Sequence, residues 1–277
     1  MPTMHLNGIR LHYEESGNGA ETVVFAHGLL WDMEQFATQI GVLQGNYRCL
    51  AYDHRGQGQS QIPRERTIAL SGLYQDAVTL LERRVMGPCH FVGADIGGHV
   101  GMMLAARRPD LIRSLVLIGT SAEAETPENI TRYKLLSATM RLGVGRLMLE
   151  PIMALMFGRT FLTSPHHAER REELRQHLLA RRRRLYRALR GVMARPSLED
   201  EVARINTPTL ILRGEEDVLV SQESCKRLHE RLHTSMLVNI PNAGHNCTVE
   251  QPEAVLAALE TFFEAFSGVG RRSPRSS

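Results

Sequence analysis

Apolar positions along this chain follow two rhythms. One is the continuous run: Thr22-Val23-Val24-Phe25-Ala26 ends at His27-Gly28, and Leu111 to Ile118 is similar in kind. Such runs suit strands buried on both faces. Further strands are expected over Tyr47–Tyr52, His90–Val92, Thr209–Arg213 and Met236–Ile240. The other rhythm has helical spacing. Ile68 to Val85 places Leu70, Leu73, Ala77, Leu80 and Leu81 on one side. A last helix from Pro252 aligns Val255, Leu256, Leu259, Phe262, Phe263 and Phe266. Helices are also expected over Met33–Leu43, from Gly97 to about Arg108 before Pro109, and over Ser221–Arg231. Met4 to Glu14 instead alternates around Asn7-Gly8, a dipeptide suited to the positive-φ positions of a type I′ hairpin turn. Strands alternating with helices predict an α/β fold with a mostly parallel central sheet flanked by helices.

Between Ser121 and about Pro196 that alternation stops. The segment reads as two or more helices rich in Met, Leu and Arg, broken by Gly143, Gly145, Pro151, Gly158 and Ser164-Pro165. It is expected to lie over the carboxyl ends of the strands as a helical cap. The resulting division is a core of residues 1–120 and 197–268, a cap of 121–196, and a polar, basic tail of 269–277 expected to be disordered. In the cap, Leu174, Leu178, Leu185, Leu189 and Val192 form a stripe that leaves most arginines between Arg170 and Arg190, Arg181 to Arg184 included, on the solvated face. The competing expectation is that one arginine turns inward to hold a substrate carboxylate. Met140, Met148, Met153 and Met156 suit an adaptable pocket wall and equally suit core packing.

Composition narrows the picture. The chain has 277 residues, 43% of them hydrophobic and 23% charged, which allows a substantial buried core. A net charge of +3 with no matching motif does not point to a nucleic-acid partner. Cys49, Cys89, Cys225 and Cys247 lack CxxC spacing, so reduced thiols are expected rather than a disulfide framework or a metal site. There is neither a signal-peptide pattern at Met1–His5 nor an apolar run long enough for a bilayer, and a cytoplasmic protein is the expectation.

The densest chemistry lies in Phe91-Val92-Gly93-Ala94-Asp95-Ile96-Gly97-Gly98-His99, a short strand, a glycine-flanked turn and a helix start. This is the G-x-Nu-x-G outline of a nucleophile elbow, with Asp95 in the middle position where Ser is commoner. Asp95 is also readable as a turn residue capping a helix. Downstream, the strand Leu210-Ile211-Leu212 leads into Gly214-Glu215-Glu216-Asp217, and the next strand leads into Pro241-Asn242-Ala243-Gly244-His245. Nucleophile, acid and histidine thus fall in chain order at strand ends. His245 is the candidate general base and Asp217 its orienting partner, with Glu215 and Glu216 as neighbouring alternatives. His27 and His54 read as loop braces, His99 as structural and Cys247 as a small buried residue.

With His27-Gly28, Asp53-His54-Arg55-Gly56-Gln57-Gly58-Gln59-Ser60, the Asp95 elbow, Gly214-x-x-Asp217 and Gly244-His245, the chain resembles α/β-hydrolase fold proteins over nearly its full length. The resemblance implies an oxyanion hole made by the backbone N–H groups of Leu29 and Ile96, and no cofactor or metal. Asp95-Ile96-Gly97-Gly98 resembles the Asp-nucleophile branch, the epoxide hydrolases and dehalogenases. A carboxylate attacking a saturated carbon forms a stable alkyl-enzyme ester that an activated water can cleave. Ile96 departs from the tryptophan typical of haloalkane dehalogenases. The body, with His27-Gly28-Leu29-Leu30-Trp31, looks closer to serine esterases and lactonases. Trp31, Tyr133 and Tyr186 are the candidate pocket residues, the tyrosines as donors to an opening epoxide oxygen. Epoxide hydrolysis of a small, largely apolar substrate by a monomer or homodimer is the leading expectation. An esterase or lactonase with an atypical nucleophile, and a non-hydrolytic cyclase-like or binding member of the fold, are the alternatives.

Overall fold

Successive residues of the apolar runs point into two separate cores. Val23 and Phe25 join one cluster with Cys49, Ala51, Val92, Ala94, Val116, Ile118, Leu210 and Leu212. Val24 and Ala26 join the other, with Leu50, Tyr52, Phe91, Leu115, Leu117 and Ile211. This period of two across a sheet covered on both faces is why the runs show no polar interruption.

The computed structural model describes residues 2–141, 145–180 and 186–266. Gly143, Arg181 to Arg184, Leu185 and the 269–277 tail lie outside the described residues, and so does the side chain of Met140. The strands are β1 (Thr3–Leu6), β2 (Ile9–Ser16), β3 (Thr22–Ala26), β4 (Arg48–Tyr52), β5 (Cys89–Ala94), β6 (Ile112–Ile118), β7 (Thr209–Gly214) and β8 (Ser235–Ile240). They form one sheet in the order β1-β2-β4-β3-β5-β6-β7-β8. The β1–β2 and β2–β4 pairs are antiparallel and all others are parallel. The β1–β2 turn has Asn7 and Gly8 at φ 45° and 78°, as the Asn-Gly dipeptide predicts.

The helices are α1 (Ala37–Leu43), α2 (Leu70–Arg84), α3 (Ile96–Arg107), α4 (Pro127–Arg141), α5 (Leu149–Met156), α6 (Arg159–Thr163), α7 (Ala168–Ala180), α8 (Tyr186–Met193), α9 (Glu199–Val202), α10 (Gln222–Arg231), α11 (Cys247–Glu250) and α12 (Pro252–Phe266). Buried residues of α1 and α12, Leu43, Val255, Leu259, Phe262 and Phe263 among them, complete the first core. Leu73, Leu80, Val100, Met102 and Leu228 from α2, α3 and α10 complete the second. The expected 33–43 helix is split: a 3-10 turn over Met33–Phe36 comes first, its N–H at Glu34 capped by the Asp32 carboxylate. The four-residue α9 and α11 are too short to leave a periodic signal.

Among the described residues, helices α4 to α8 fill the stretch from Pro127 to Met193 between β6 and β7, with the short α9 following. Leu174, Leu178, Leu189 and Val192 of the expected stripe are buried, and with Met153, Met156, Phe157 and Phe161 they join the second core cluster. All four cysteines are free and buried. Among the described residues no helix is long and apolar enough to cross a membrane.

Candidate active site

Asp95 stands between β5 and α3 with φ 47° and ψ −113°, a backbone conformation that costs a non-glycine residue about 1–3 kcal/mol. Close packing enforces it. A Cβ on Gly93 would collide with the Gly97 carbonyl, and one on Gly97 with the Ala26 carbonyl, so only glycines let β3, β5 and α3 approach this closely. The Asp95 N–H donates to the Ile118 carbonyl at 2.9 Å, and its carbonyl accepts from His99 Nδ1 at 2.9 Å. The side chain makes no capping bond to α3. Asp95 Oδ2 instead accepts from the Leu29 N–H at 2.9 Å, across from the loop after β3, where Leu30 is itself at φ 71°. The Asp95 side chain is therefore not a hydrogen-bonding cap of α3.

The loops after β7 and β8 bring the other two residues together. His245 Nδ1 lies 2.9 Å from Asp217 Oδ2. Asp217 Oδ1 accepts from the N–H groups of Leu219 at 2.8 Å and Val220 at 3.0 Å, which fixes the carboxylate's orientation. The neighbouring acids are placed elsewhere: Glu215 is exposed, and Glu216 bonds Thr160. Burial alone would lower the His245 pKa, but the Asp217 carboxylate, helped by Asp95, outweighs it and raises it to about 9. Burial raises Asp95, opposed by the His245 charge and by the Leu29 N–H. The two titrate as a coupled pair in which each charge favours the other.

Asp95 and His245 line one cavity. Its wall is mixed: Leu29, Leu136, Ile152 and Met156 face it, and so do Glu125, Arg195 and Tyr133. Burial, then the carboxylates of Glu125 and Asp95, push the Tyr133 phenol up, so it stays protonated and able to donate. Ile96 is not part of this wall; its side chain faces a smaller adjacent cavity, and only its backbone at the start of α3 belongs to the elbow. Trp31 and Tyr186, expected in the pocket, also lie outside the lining. Trp31 is buried with its ring 6.4 Å from Phe157 and 5.2 Å from His177, a packing role. The Tyr186 hydroxyl accepts from Arg187 Nε at 3.0 Å, and that guanidinium also sits over the Tyr186 ring.

Several lining residues carry no sequence signal strong enough to single them out. Arg195 turns inward from just after α8, donates to the Glu123 carbonyl, and pairs with Glu125 at 3.3 Å, both side chains 8% exposed. Among the described residues the arginine that lines the cavity is Arg195, outside the Arg170–Arg190 stretch that composition highlights. His99 is in the wall as well as bonded to the Asp95 carbonyl, and burial with the Arg195 charge nearby keeps it neutral. His27 and His54 are braces: the His54 N–H donates to His27 Nε2, and His54 Nε2 lies 2.9 Å from the His27 carbonyl.

An eight-stranded sheet with this order, a strand–Asp–helix elbow, and an acid–histidine pair after β7 and β8 define an α/β hydrolase. Residues 21–252 match the family model for the alpha/beta hydrolase fold, and the chain belongs to that family. Among curated proteins it is 26% identical over 265 residues to "Putative carbamate hydrolase RutD" of Rhizobium rhizogenes (strain K84 / ATCC BAA-868), covering 94% of this chain and 100% of that one. Among solved structures it is similar to a malate-bound thermophilic esterase from Thermogutta terrifontis, with a TM-score of 0.86 and 25% identity over 95% of this chain and 97% of that one. The enol-lactonase from Burkholderia xenovorans LB400 shares the fold, with a TM-score of 0.84 and 23% identity over 95% and 100% of the two chains. At the coarse level these likenesses support, the protein is a hydrolase with an esterase- and lactonase-like body.

Proposed function

We propose that the protein opens epoxides through an ester formed on Asp95, with the α4–α8 helices serving as the cap over the site. One observation carries this reading: a buried carboxylate, a histidine paired with Asp217 and a phenol line the same cavity. Asp95 enters the reaction already ionised and needs no base to become a nucleophile. Its oxygen attacks an epoxide carbon as the carbon–oxygen bond breaks. The departing alkoxide is met by the Tyr133 hydroxyl and takes, by way of it, the proton carried on His245.

Esterification removes the Asp95 charge that helps hold the His245 proton, and that proton has left. His245 is now neutral and can take a proton from water attacking the ester carbonyl. The Leu29 N–H, which already bonds an Asp95 oxygen, is positioned for the negative charge of the tetrahedral intermediate, with the Ile96 N–H assigned beside it. Collapse releases the diol and restores the carboxylate and the imidazolium. Atoms and protons balance as epoxide plus water to diol.

Single-turnover reaction in ¹⁸O-labelled water tests the scheme. Label is expected in Asp95, because the attacked atom is the ester carbonyl carbon of the enzyme; product labelled with Asp95 unlabelled would overturn it. The esterase and carbamate hydrolase names among its relatives favour a second reading, acyl transfer on this scaffold with an atypical nucleophile. Ester turnover that appears only in Asp95→Ser would support that reading over the first.

A further inference from the structure

The buried Glu250 takes no part in the scheme above, yet its carboxylate sits where the helical segment meets the loop of His245. Glu250 is 3% exposed at the end of α11. One oxygen, Oε2, accepts two backbone bonds: from Gly244 N at 2.9 Å, next to His245, and from Gly158 N at 2.7 Å, between α5 and α6. The other oxygen, Oε1, has no hydrogen-bond partner. A single carboxylate oxygen thus bridges two segments 86 residues apart in sequence, as 244 minus 158 gives.

Neighbouring contacts extend this bridge into a strap. The Met156 carbonyl accepts from both Asn246 N at 3.1 Å and Asn246 Nδ2 at 2.8 Å. Glu216, one residue before Asp217, accepts from Thr160 N at 2.8 Å and Thr160 Oγ1 at 2.5 Å. Residues 156 to 160 are therefore held at three points by the loops that carry the candidate acid and histidine. Glycines make the approach possible. A Cβ on Gly158 would meet Gly244 N and Glu216 Oε2, one on Gly244 would meet Gly158 N, and one on Gly214 would meet the Gly244 carbonyl. Met156 lines the cavity, and Phe157 packs against Trp31.

We propose that Glu250 is a positioning residue that ties the Met156–Gly158 wall of the cavity to the Gly244–His245 loop, so that His245 is in register only while the helical segment is seated. This rests on the reading of His245 as the base. Energetically, the anchor is costly to hold in reserve, because burial pushes Glu250 up to about 7 against the Gly244 and Gly158 N–H groups that favour its charge. A side chain retained under such conditions, with two donors converging on one oxygen, acts through the geometry it imposes. The charged and titratable groups around it are Cys247 on its own helix, Asp217 and His245 on the two loops, and Glu216 at the outer end of the strap.

Trp31 gives a readout that needs no chemistry, since it is the chain's single tryptophan and rests on Phe157. Glu250→Gln keeps an oxygen able to accept both N–H groups, whereas Glu250→Ala removes it and Glu250→Asp falls one methylene short of bridging. The expected result is wild-type Trp31 emission in Glu250→Gln, with red-shifted emission and at least tenfold faster exchange of the Gly158 and Gly244 amides in the other two. With a terminal epoxide or an activated ester as probe, Glu250→Asp is expected to lower kcat about tenfold while KM moves less than threefold, and Glu250→Gln to restore most of the loss. Should Glu250→Ala not fold, the Asp and Gln pair decides. Wild-type emission and amide exchange in Glu250→Asp, or equal damage in the Gln and Asp variants, overturns the proposal. If neither probe is turned over by the wild type, the proposed activity fails while the strap is still judged by emission and exchange.

Discussion

The strand-end loops and the α4–α8 segment meet at one cavity but are held there by different means. In the loops, the parallel ladder simply continues past the strands: Asp95 N–H donates to Ile118, Gly119 N–H to Leu212, and Glu215 N–H to Ile240, at 2.9, 3.0 and 3.0 Å. Each residue that leads into the site is thus still part of the sheet's hydrogen bonding. The helical segment has no such ladder. Isolated backbone bonds reach it, from Ile68 N–H to the Arg187 carbonyl and from Asn246 N–H to the Met156 carbonyl, and its other polar ties to the core run through side chains, among them Glu216, Glu250, Asn246 and Arg187. Geometry set by backbone tolerates side-chain substitution; geometry set by a few buried carboxylates does not. On the proposed reading, chemistry falls on the first region and substrate selection on the second.

The most severe test of that division is Asp95→Asn. Asparagine keeps an oxygen for the Leu29 N–H and the same backbone, so the fold is expected to survive and even gain stability by losing a buried carboxylate. Turnover is expected to drop at least about 10³-fold, since an amide is no nucleophile. Measured kcat within tenfold of wild type, with deamidation excluded by mass spectrometry, would move the chemistry off the elbow. Asp217→Asn comes next, with an expected loss of about 10²–10⁴-fold. Leu219 and Val220 N–H groups require oxygen at one position, which turns the new NH₂ toward His245 Nδ1 and imposes the wrong tautomer. A His245 whose ring NMR signals match wild type in that variant would contradict the account.

How much of this was legible from sequence follows the same divide. The apolar runs, Asn7-Gly8, the Asp95 elbow and the Gly214 and Gly244-His245 loops are local patterns, because a strand, a turn and a close backbone approach each demand particular residues within a few positions. The sheet and its elbow, acid and histidine loops were readable for that reason. Trp31, Arg195 and Glu250 carry no such signal, because their places depend on partners far away in sequence: Trp31 on Phe157, Arg195 on Glu123 and Glu250 on Gly158. No spacing rule encodes those meetings. Trp31 also shows how proximity misleads. It lies two residues after Leu29, yet its ring turns to Phe157 and His177 instead of the cavity.

The pH dependence of stability sharpens the comparison without any substrate. His245 has its folded pKa raised to about 9 from an ordinary 6.5, chiefly by Asp217 against the opposing effect of burial. A raised cationic group contributes its full stabilisation below the unfolded pKa and loses it as pH climbs through the folded one. The window is therefore roughly pH 6.5 to 9, and the contribution is on the order of 3 kcal/mol. Urea unfolding of wild type against His245→Gln reads it: the stability difference is expected to shrink as pH rises across that range. Parallel curves would mean that the Asp217–His245 pair contributes nothing to the loops' rigidity.

The smallest expected effect is the one that discriminates best between the two regions, because it compares two tyrosines of the same helical segment. Tyr133 lines the cavity, and its phenol is held protonated by burial and by Glu125 and Asp95; Tyr186 is engaged with Arg187 away from the lining. Tyr133→Phe removes one hydroxyl from a wall that is otherwise unchanged, so substrate still binds but the departing alkoxide loses its donor. A loss of one good hydrogen bond in the transition state is worth about tenfold to a hundredfold in kcat, with KM nearly constant. Tyr186→Phe is expected to leave kcat within twofold. Equal effects in the two variants would assign Tyr133 to packing. An effect of Tyr133→Phe on epoxide opening but none on an activated ester, whose leaving group needs no proton, would locate the hydroxyl's contribution at the alkoxide itself.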